Sequence, residues 1–226
     1  MPLTNHGSNQ EQLSNWFATP VCQRVLQAEQ RALIPLLTAH IGVRGVFLRA
    51  DQGASAELSG NMLQQVCRLY PQRGQLAGDF VCEGEQLPIA NESLSLIYVQ
   101  HGFEQSANWP ALIEEVARCL QPEAIFVAVV FSRISLFRTR WQRQALQAID
   151  RHRFLRCCEA SGLHIEERRA VGPVWPLLGG EGSLTESLGL GALQTSWAVV
   201  ARKRRPGMML IGPRRKLMFN PNATPT

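Results

Sequence analysis

Seven consecutive residues, Ile125-Phe126-Val127-Ala128-Val129-Val130-Phe131, carry no polar side chain. A run of that length without alternation reads as a strand buried on both faces, which requires a layer of structure on each side of a sheet. A second apolar run lies upstream at 94–99, Leu-Ser-Leu-Ile-Tyr-Val, just after the turn-forming Ala90-Asn91-Glu92. Between them, 109–120 reads as a helix. Asn108 is its capping residue, Pro110 sits in the first turn, Glu114 and Glu115 lie in the half that favours acids, and Gln121-Pro122 stops it. Strand, helix and doubly buried strand in that order predict a mostly parallel sheet with helices on both faces.

The flanks continue the alternation. Residues 17–38 read as a helix capped by Thr19 with Pro20 at its first position. Its apolar stripe is placed at Val21, Val25, Ala28, Ala32 and Leu36, and Pro35 is expected to kink or end it. Residues 42–50 read as a strand and 57–66 as a helix or loop, with short extended segments at 65–69 and 76–82. Residues 142–160 read as helical in two pieces ending at Gly162, 164–170 and 197–201 as strands, and the Gly- and Pro-rich 172–191 as a long surface loop. Two late strands without a strong helix between them suggest an antiparallel finish. The expected fold is therefore α/β, Rossmann-like and doubly wound, with antiparallel C-terminal strands.

With 226 residues, 45% hydrophobic and 18% charged, the chain can bury a full core and is not a disordered polymer. The division expected is a flexible 1–15, a domain over 16–203 and a basic tail over 204–226. No apolar run approaches the roughly 20 residues of a membrane span, and the polar start lacks the marks of a signal peptide, so a cytoplasmic address is expected. Cys22, Cys67, Cys82, Cys119, Cys157 and Cys158 show neither CxxC spacing nor a His–Cys cluster, so free thiols and no metal site are expected. The net charge of +5 is concentrated late, in Arg202, Lys203, Arg204 and Arg205 and then Arg214, Arg215 and Lys216. Nucleic acid could be engaged through that tail alone, and a solvated terminus is the plainer reading.

The middle of the chain resembles a known pattern. Leu87-Pro88-Ile89, then Ser93-Leu94-Ser95-Leu96-Ile97-Tyr98-Val99, His101-Gly102-Phe103-Glu104 and Leu112 to Pro122 with Glu114, Glu115 and Arg118, is similar to the type 11 group of class I S-adenosylmethionine-dependent methyltransferases. Trp16-Phe17-Ala18-Thr19-Pro20 with Glu29, Phe131-Ser132-Arg133-Ile134-Ser135-Leu136-Phe137 and Val200-Ala201-Arg202-Lys203-Arg204 resemble flanks of a bacterial subgroup. The resemblance implies that S-adenosylmethionine lies over the carboxyl ends of the strands, at a switch point in strand order. The family's acidic-x-Gly-x-Gly-x-Gly loop aligns with Arg49-Ala50-Asp51-Gln52-Gly53-Ala54-Ser55, where Gly53 alone is kept and Arg49 reverses the charge. Asp51 is expected near the methionine carboxylate, where it would repel. No acid follows in 65–72 to hold the ribose, and Gln72 is the nearest substitute.

The implied cofactor contacts are Asp51, Gly53, Ser55, Glu83, Gln86, Leu87 and Gln100, with His101 the candidate base beside the methyl group. Read singly, Gly53 suits a turn, Glu83 and Glu85 solvated loop positions, and His101 and Glu104 packing or bracing roles. Trp141 and Trp175 suit core or loop anchors before pocket walls. Ser132, Ser135 and His152 stand in no nucleophile-elbow or triad context, and methyl transfer needs none. A dinucleotide oxidoreductase is disfavoured because the turn lacks Gly-x-Gly-x-x-Gly. Two readings stand: a methyltransferase for an unidentified acceptor, and a catalytically inactive methyltransferase fold serving as a binding or scaffolding module.

Overall fold

The computed structural model describes residues 12–83, 86–144, 146–174 and 193–204. In chain order it gives α1 (Pro20–Thr38), β1 (Ile41–Leu48), β2 (Met62–Gln72), β3 (Gln75–Gly78), β4 (Leu94–Gln100), α2 (Trp109–Cys119), β5 (Leu120–Phe131), α3 (Arg138–Trp141), α4 (Arg151–Ala160), β6 (Leu163–Val171) and β7 (Ser196–Lys203). Residues 12–17 are helical as well.

All seven strands form one sheet in the order β3-β2-β1-β4-β5-β7-β6. β2, β1, β4 and β5 run parallel, whereas β7 is antiparallel to both β5 and β6. The α/β, Rossmann-like expectation and its antiparallel finish therefore hold. At the other edge β3 is antiparallel to β2. A two-residue turn makes that hairpin, with Arg73 and Gly74 at φ 51° and 82°, the left-handed pair that tight hairpins need.

Two connections differ from the expected alternation. β1 passes to β2 through 49–61 without a helix. Ser55, Ser59, Gly60 and Asn61 favour turns there, Gly60 at φ 74°. The helical stretch placed at 142–160 in two pieces is a single 3-10 turn over Gln142–Gln144 and then α4, with residues 146–150 between them in no regular element. Pro35 lies inside α1, which runs on to Thr38.

Helices α2 and α4 cover one face, where Leu112, Ile113, Val116, Phe154 and Cys158 pack on Val46, Ile97, Phe126 and Val199. On the other face α1 lays Leu33 and Leu37 on Phe47, Tyr98, Val127 and Val200. The buried stripe of α1 is Cys22, Val25, Leu26, Glu29, Gln30, Leu33 and Leu37, while Ala32 is exposed. The stripe is thus rotated from the one expected, because two polar residues occupy its centre. A third cluster caps the carboxyl edge of the sheet, where Leu13, Phe17, Val25, Ala50, Ala54, Phe131, Phe137 and Trp141 meet.

Part of the sequence pattern behind the resemblance is spent on holding a loop. Arg118 on α2 donates to Leu87 O at 3.0 Å, to Ile89 O at 2.9 Å and to Asn91 Oδ1. It also pairs with Glu115 at 2.6 Å, and Glu115 in turn accepts from Leu87 N at 2.6 Å. Those bonds hold the Glu115 carboxyl below its usual range, mainly through Arg118. Since a hydrogen bond to a charged group is worth roughly 1.5–3 kcal/mol when it is not easily replaced, Arg118→Ala is expected to lower stability by about 2 kcal/mol. A urea midpoint unchanged from wild type would contradict that.

Candidate active site at the carboxyl edge

Strand order reverses between β1 and β4, whose carboxyl ends open side by side. In open α/β sheets this is where ligands bind. Two further backbone bonds extend the strands past their ends, Arg49 N to Leu69 O at 2.7 Å and His101 N to Val129 O at 3.0 Å. The loops after β1 and β4 therefore leave the sheet from fixed points.

On the β4 side the side chains form a buried polar network. Glu29 and His101 are fully buried and Glu104 nearly so. Glu29 Oε2 accepts from His101 Nε2 at 3.0 Å and from Gln100 Nε2 at 2.9 Å, while its Oε1 accepts from Ser196 Oγ at 2.5 Å. His101 Nδ1 meets Glu104 Oε1 at 3.0 Å, and that oxygen also accepts the Phe131 amide at 2.7 Å. Gln100 is tied further to Leu26 O and to Gln30, both at 3.0 Å. The imidazole lies flat on Phe131, with centroids 3.6 Å apart.

Burial alone would lower the basicity of His101, but the charges and hydrogen bonds of Glu29 and Glu104 outweigh it and bring its pKa up to about 9. The ring is thus an imidazolium at neutral pH, held between two carboxylates. Its backbone sits at φ 53°, a left-handed conformation costly for histidine, which the surrounding bonds maintain.

On the β1 side Arg49 turns back into its own loop. Its Nη1 donates to Ala54 O at 2.8 Å and to Gln52 O at 3.3 Å, and the guanidinium lies 5.3 Å from the centre of the Tyr70 ring at the end of β2. Desolvation lowers its pKa, and its Nε is buried without a hydrogen-bond partner among the described residues. Asp51 also points inward, accepting from Gly53 N at 2.8 Å and from Ser14 Oγ at 3.1 Å. Its carboxylate is thus held by Gly53 of its own loop and by Ser14 of the preceding helix. Gln105 Nε2 stitches the two loops together, donating to Ala50 O at 2.6 Å and to His101 O at 2.9 Å.

The residues singled out from the sequence fall into two groups. Gln100, His101 and Asp51 come together at the β1–β4 edge but are buried and occupied by protein partners. Gly53 and Ser55 are exposed on the loop after β1; a Cβ at Gly53 would meet just Asp51 Oδ2, at 3.3 Å, and the Gly53 amide already donates to that carboxylate. Glu83 and Gln86 are exposed after β3, and Leu87 is buried in the core of the α2 face. Glu85, Trp175 and most of the 172–191 loop lie outside the described residues. Trp141 is a core residue, stacked on Phe131. Glu29 is the participant that sequence reasoning passed over. The signal available was an acid spaced four residues after Val25 and four before Leu33, in line with the buried apolar positions of the helix.

As arranged, these residues are committed to protein partners at the edge where the resemblance places the cofactor. Arg49 lies across the ends of β1 and β2, both nitrogens of His101 are taken, and the aromatic cap of Phe17, Phe131, Phe137 and Trp141 fills the edge beside them. A cavity of about 520 Å³ opens elsewhere, lined by Arg44, Val66, Cys67, Phe80, Ile89 and Leu94, toward the amino ends of β1 and β4. Among the described residues no group of three or more His, Cys, Asp or Glu could hold a metal ion, and no helix is long and apolar enough to cross a membrane.

Comparison with known proteins agrees with the fold. Residues 46–128 match the family model described as a methyltransferase domain. No curated protein matches the chain. Among solved structures, a Haloferax volcanii complex of the Trm112 methyltransferase activator with a methyltransferase is similar at 15% identity and TM-score 0.56, over 86% of this chain and 99% of that one. Geranyl diphosphate C-methyltransferase from Streptomyces coelicolor A3(2), with Mg2+, geranyl diphosphate and S-adenosyl-L-homocysteine, is similar at 14% and 0.56, over 90% and 100%. The [4+2]-cyclase SpnF is similar at 15% and 0.56, over 86% and 96%. At these identities the likeness speaks for the fold.

Proposed function

We propose that this chain, whose residues 46–128 match the methyltransferase-domain family model, is an S-adenosylmethionine-dependent methyltransferase for an acceptor not yet identified, and that the arrangement described is its closed form. The observation that carries the reading is the reversal of strand order between β1 and β4, with the exposed Gly53 and Ser55 on the loop that leaves its carboxyl edge. Methyl transfer from S-adenosylmethionine is the chemistry of the family, and one structural neighbour holds S-adenosyl-L-homocysteine. In an opened form Gly53 and Ser55 would approach the cofactor from the β1 loop, with Glu83 and Gln86 on the neighbouring loop. Gln100 would serve as a fixed wall, since its amide is committed to α1. His101, charged and paired on both sides, would have to release its own proton before it could act as a base. A cytoplasmic setting agrees with six free cysteines.

Arg49 and Asp51 favour a second reading: the fold is kept as a non-catalytic binding module whose first loop is satisfied by its own side chains. Calorimetric titration with S-adenosylhomocysteine separates the two. The methyltransferase reading expects saturable heat, weakened by the work of opening the loop. No heat at millimolar ligand would overturn it in favour of the second.

A further inference from the structure

Along the same edge of the sheet, past β5, lies a separate cavity of about 400 Å³. Its floor is set by strand ends that share one direction of approach: Ser132 just beyond β5, Ala170 near the end of β6, and Ser196 and Trp197 at the start of antiparallel β7. Ile149 and Trp197 are buried and supply an apolar wall, and Ile134 is 65% exposed at the mouth. Three arginines and one aspartate line the rest: Arg133, Arg138, Arg151 and Asp150.

The one carboxylate is already committed. Asp150 caps α4 by accepting the Arg153 amide at 2.9 Å, and its other oxygen is 3.6 Å from Arg133 in a half-exposed pair, a geometry that contributes little. Arg138 donates to Gln142 Oε1 and to Arg133 O, which fixes its side chain at the rim. The Arg151 side chain makes no hydrogen bond or ion pair among the described residues. Positive charge is therefore in excess, on guanidinium groups whose planar forks suit carboxylate and phosphate oxygens. The volume falls in the range of small-molecule pockets and exceeds what an inorganic anion needs.

We propose that this cavity binds a small molecule with an apolar, ring-sized body and an anionic head, the body against Trp197 and Ile149 and the head toward Arg133 and Arg151. Neither reading of the methyltransferase site is required for it, since the cavity is formed without the β1 loop. Carboxylate and phosphate heads share the chemistry, so both belong in the test.

Phenyl phosphate, benzoate, benzyl alcohol and inorganic phosphate are titrated into the full chain by calorimetry. Phenyl phosphate or benzoate is expected to bind at least tenfold more tightly than benzyl alcohol and than inorganic phosphate, and to weaken severalfold between 50 and 500 mM salt, as exposed charge pairing does. The exposed double variant Arg133→Gln/Arg151→Gln is expected to lose at least tenfold in affinity for the better anion with an unchanged melting temperature, while Arg24→Gln on α1 retains it. Equal binding of benzyl alcohol, binding insensitive to salt, a folded double variant that binds like wild type, or no binding of either aromatic anion at millimolar concentration would each overturn the proposal. The salt series on wild type decides even if the variant does not fold.

Discussion

Glu29→Ala is expected to destabilise the fold by about 3–5 kcal/mol, the range for removing one partner of a buried charge pair. The carboxylate collects donors from Gln100, His101 and Ser196, so a single side chain of α1 joins the end of β4 to the start of β7. Its loss leaves the imidazolium with one partner, strands the Ser196 hydroxyl, and opens a hole in a fully buried site. Arg31→Ala, exposed on the same helix, is expected to stay within about 0.5 kcal/mol of wild type. Urea denaturation of the three proteins gives the comparison, and a Glu29→Ala cost below about 1 kcal/mol would contradict the role assigned to the network.

The same network has a pH signature. The folded-state pKa of His101, about 9, lies above its ordinary value of 6.5. Its contribution, on the order of 3 kcal/mol, is therefore fully present below pH 6.5 and is lost as pH rises through 9. Melting temperature is expected to fall over that window in wild type and to fall less in Glu29→Ala, where Glu104 alone remains to hold the charge.

The second large effect concerns the β1 loop. Arg49→Ala removes both bonds to the loop carbonyls and the guanidinium lying over Tyr70. If the closed form is favoured by about 2 kcal/mol, only a few per cent of molecules are competent, and the apparent affinity is reduced by that fraction. Arg49→Ala is then expected to bind S-adenosylhomocysteine at least tenfold more tightly than wild type. A folded variant that binds equally or more weakly would show that Arg49 is not what keeps the loop shut. Absence of binding in both proteins would instead support the non-catalytic reading.

Much of this fold could be read from the residues because its strongest signals are local. The apolar run in β5, the Thr19-Pro20 start of α1 and the Gln121-Pro122 end of α2 each state their structure within a few positions. Thr19 accepts the Cys22 amide as a cap should, whereas Asn108 makes no side-chain bond to α2. β3 was legible as extended but not as antiparallel, since its direction depends on Arg73 adopting a positive φ in a two-residue turn. The stripe of α1 was misplaced because Glu29 and Gln30 look like surface residues until their partners on β4 and β7, some 70 and 167 positions away, are known. Arg49 and Asp51 stood out as substitutions in a glycine-rich loop. Their inward orientation was not legible, because it depends on Tyr70 and Ser14, which arrive from other elements.

Amide and indole chemical shifts of the isotope-labelled chain, followed during titration with S-adenosylhomocysteine, report where the ligand goes. A cofactor entering the β1–β4 edge moves the resonances of Gly53, Ala54, Ser55, Gln100, His101 and Gly102, together with the buried indole N–H of Trp141, which has no hydrogen-bond partner among the described residues. Shifts confined to Arg133, Arg151 and Trp197, or none at saturating millimolar ligand, would contradict a cofactor site at that edge.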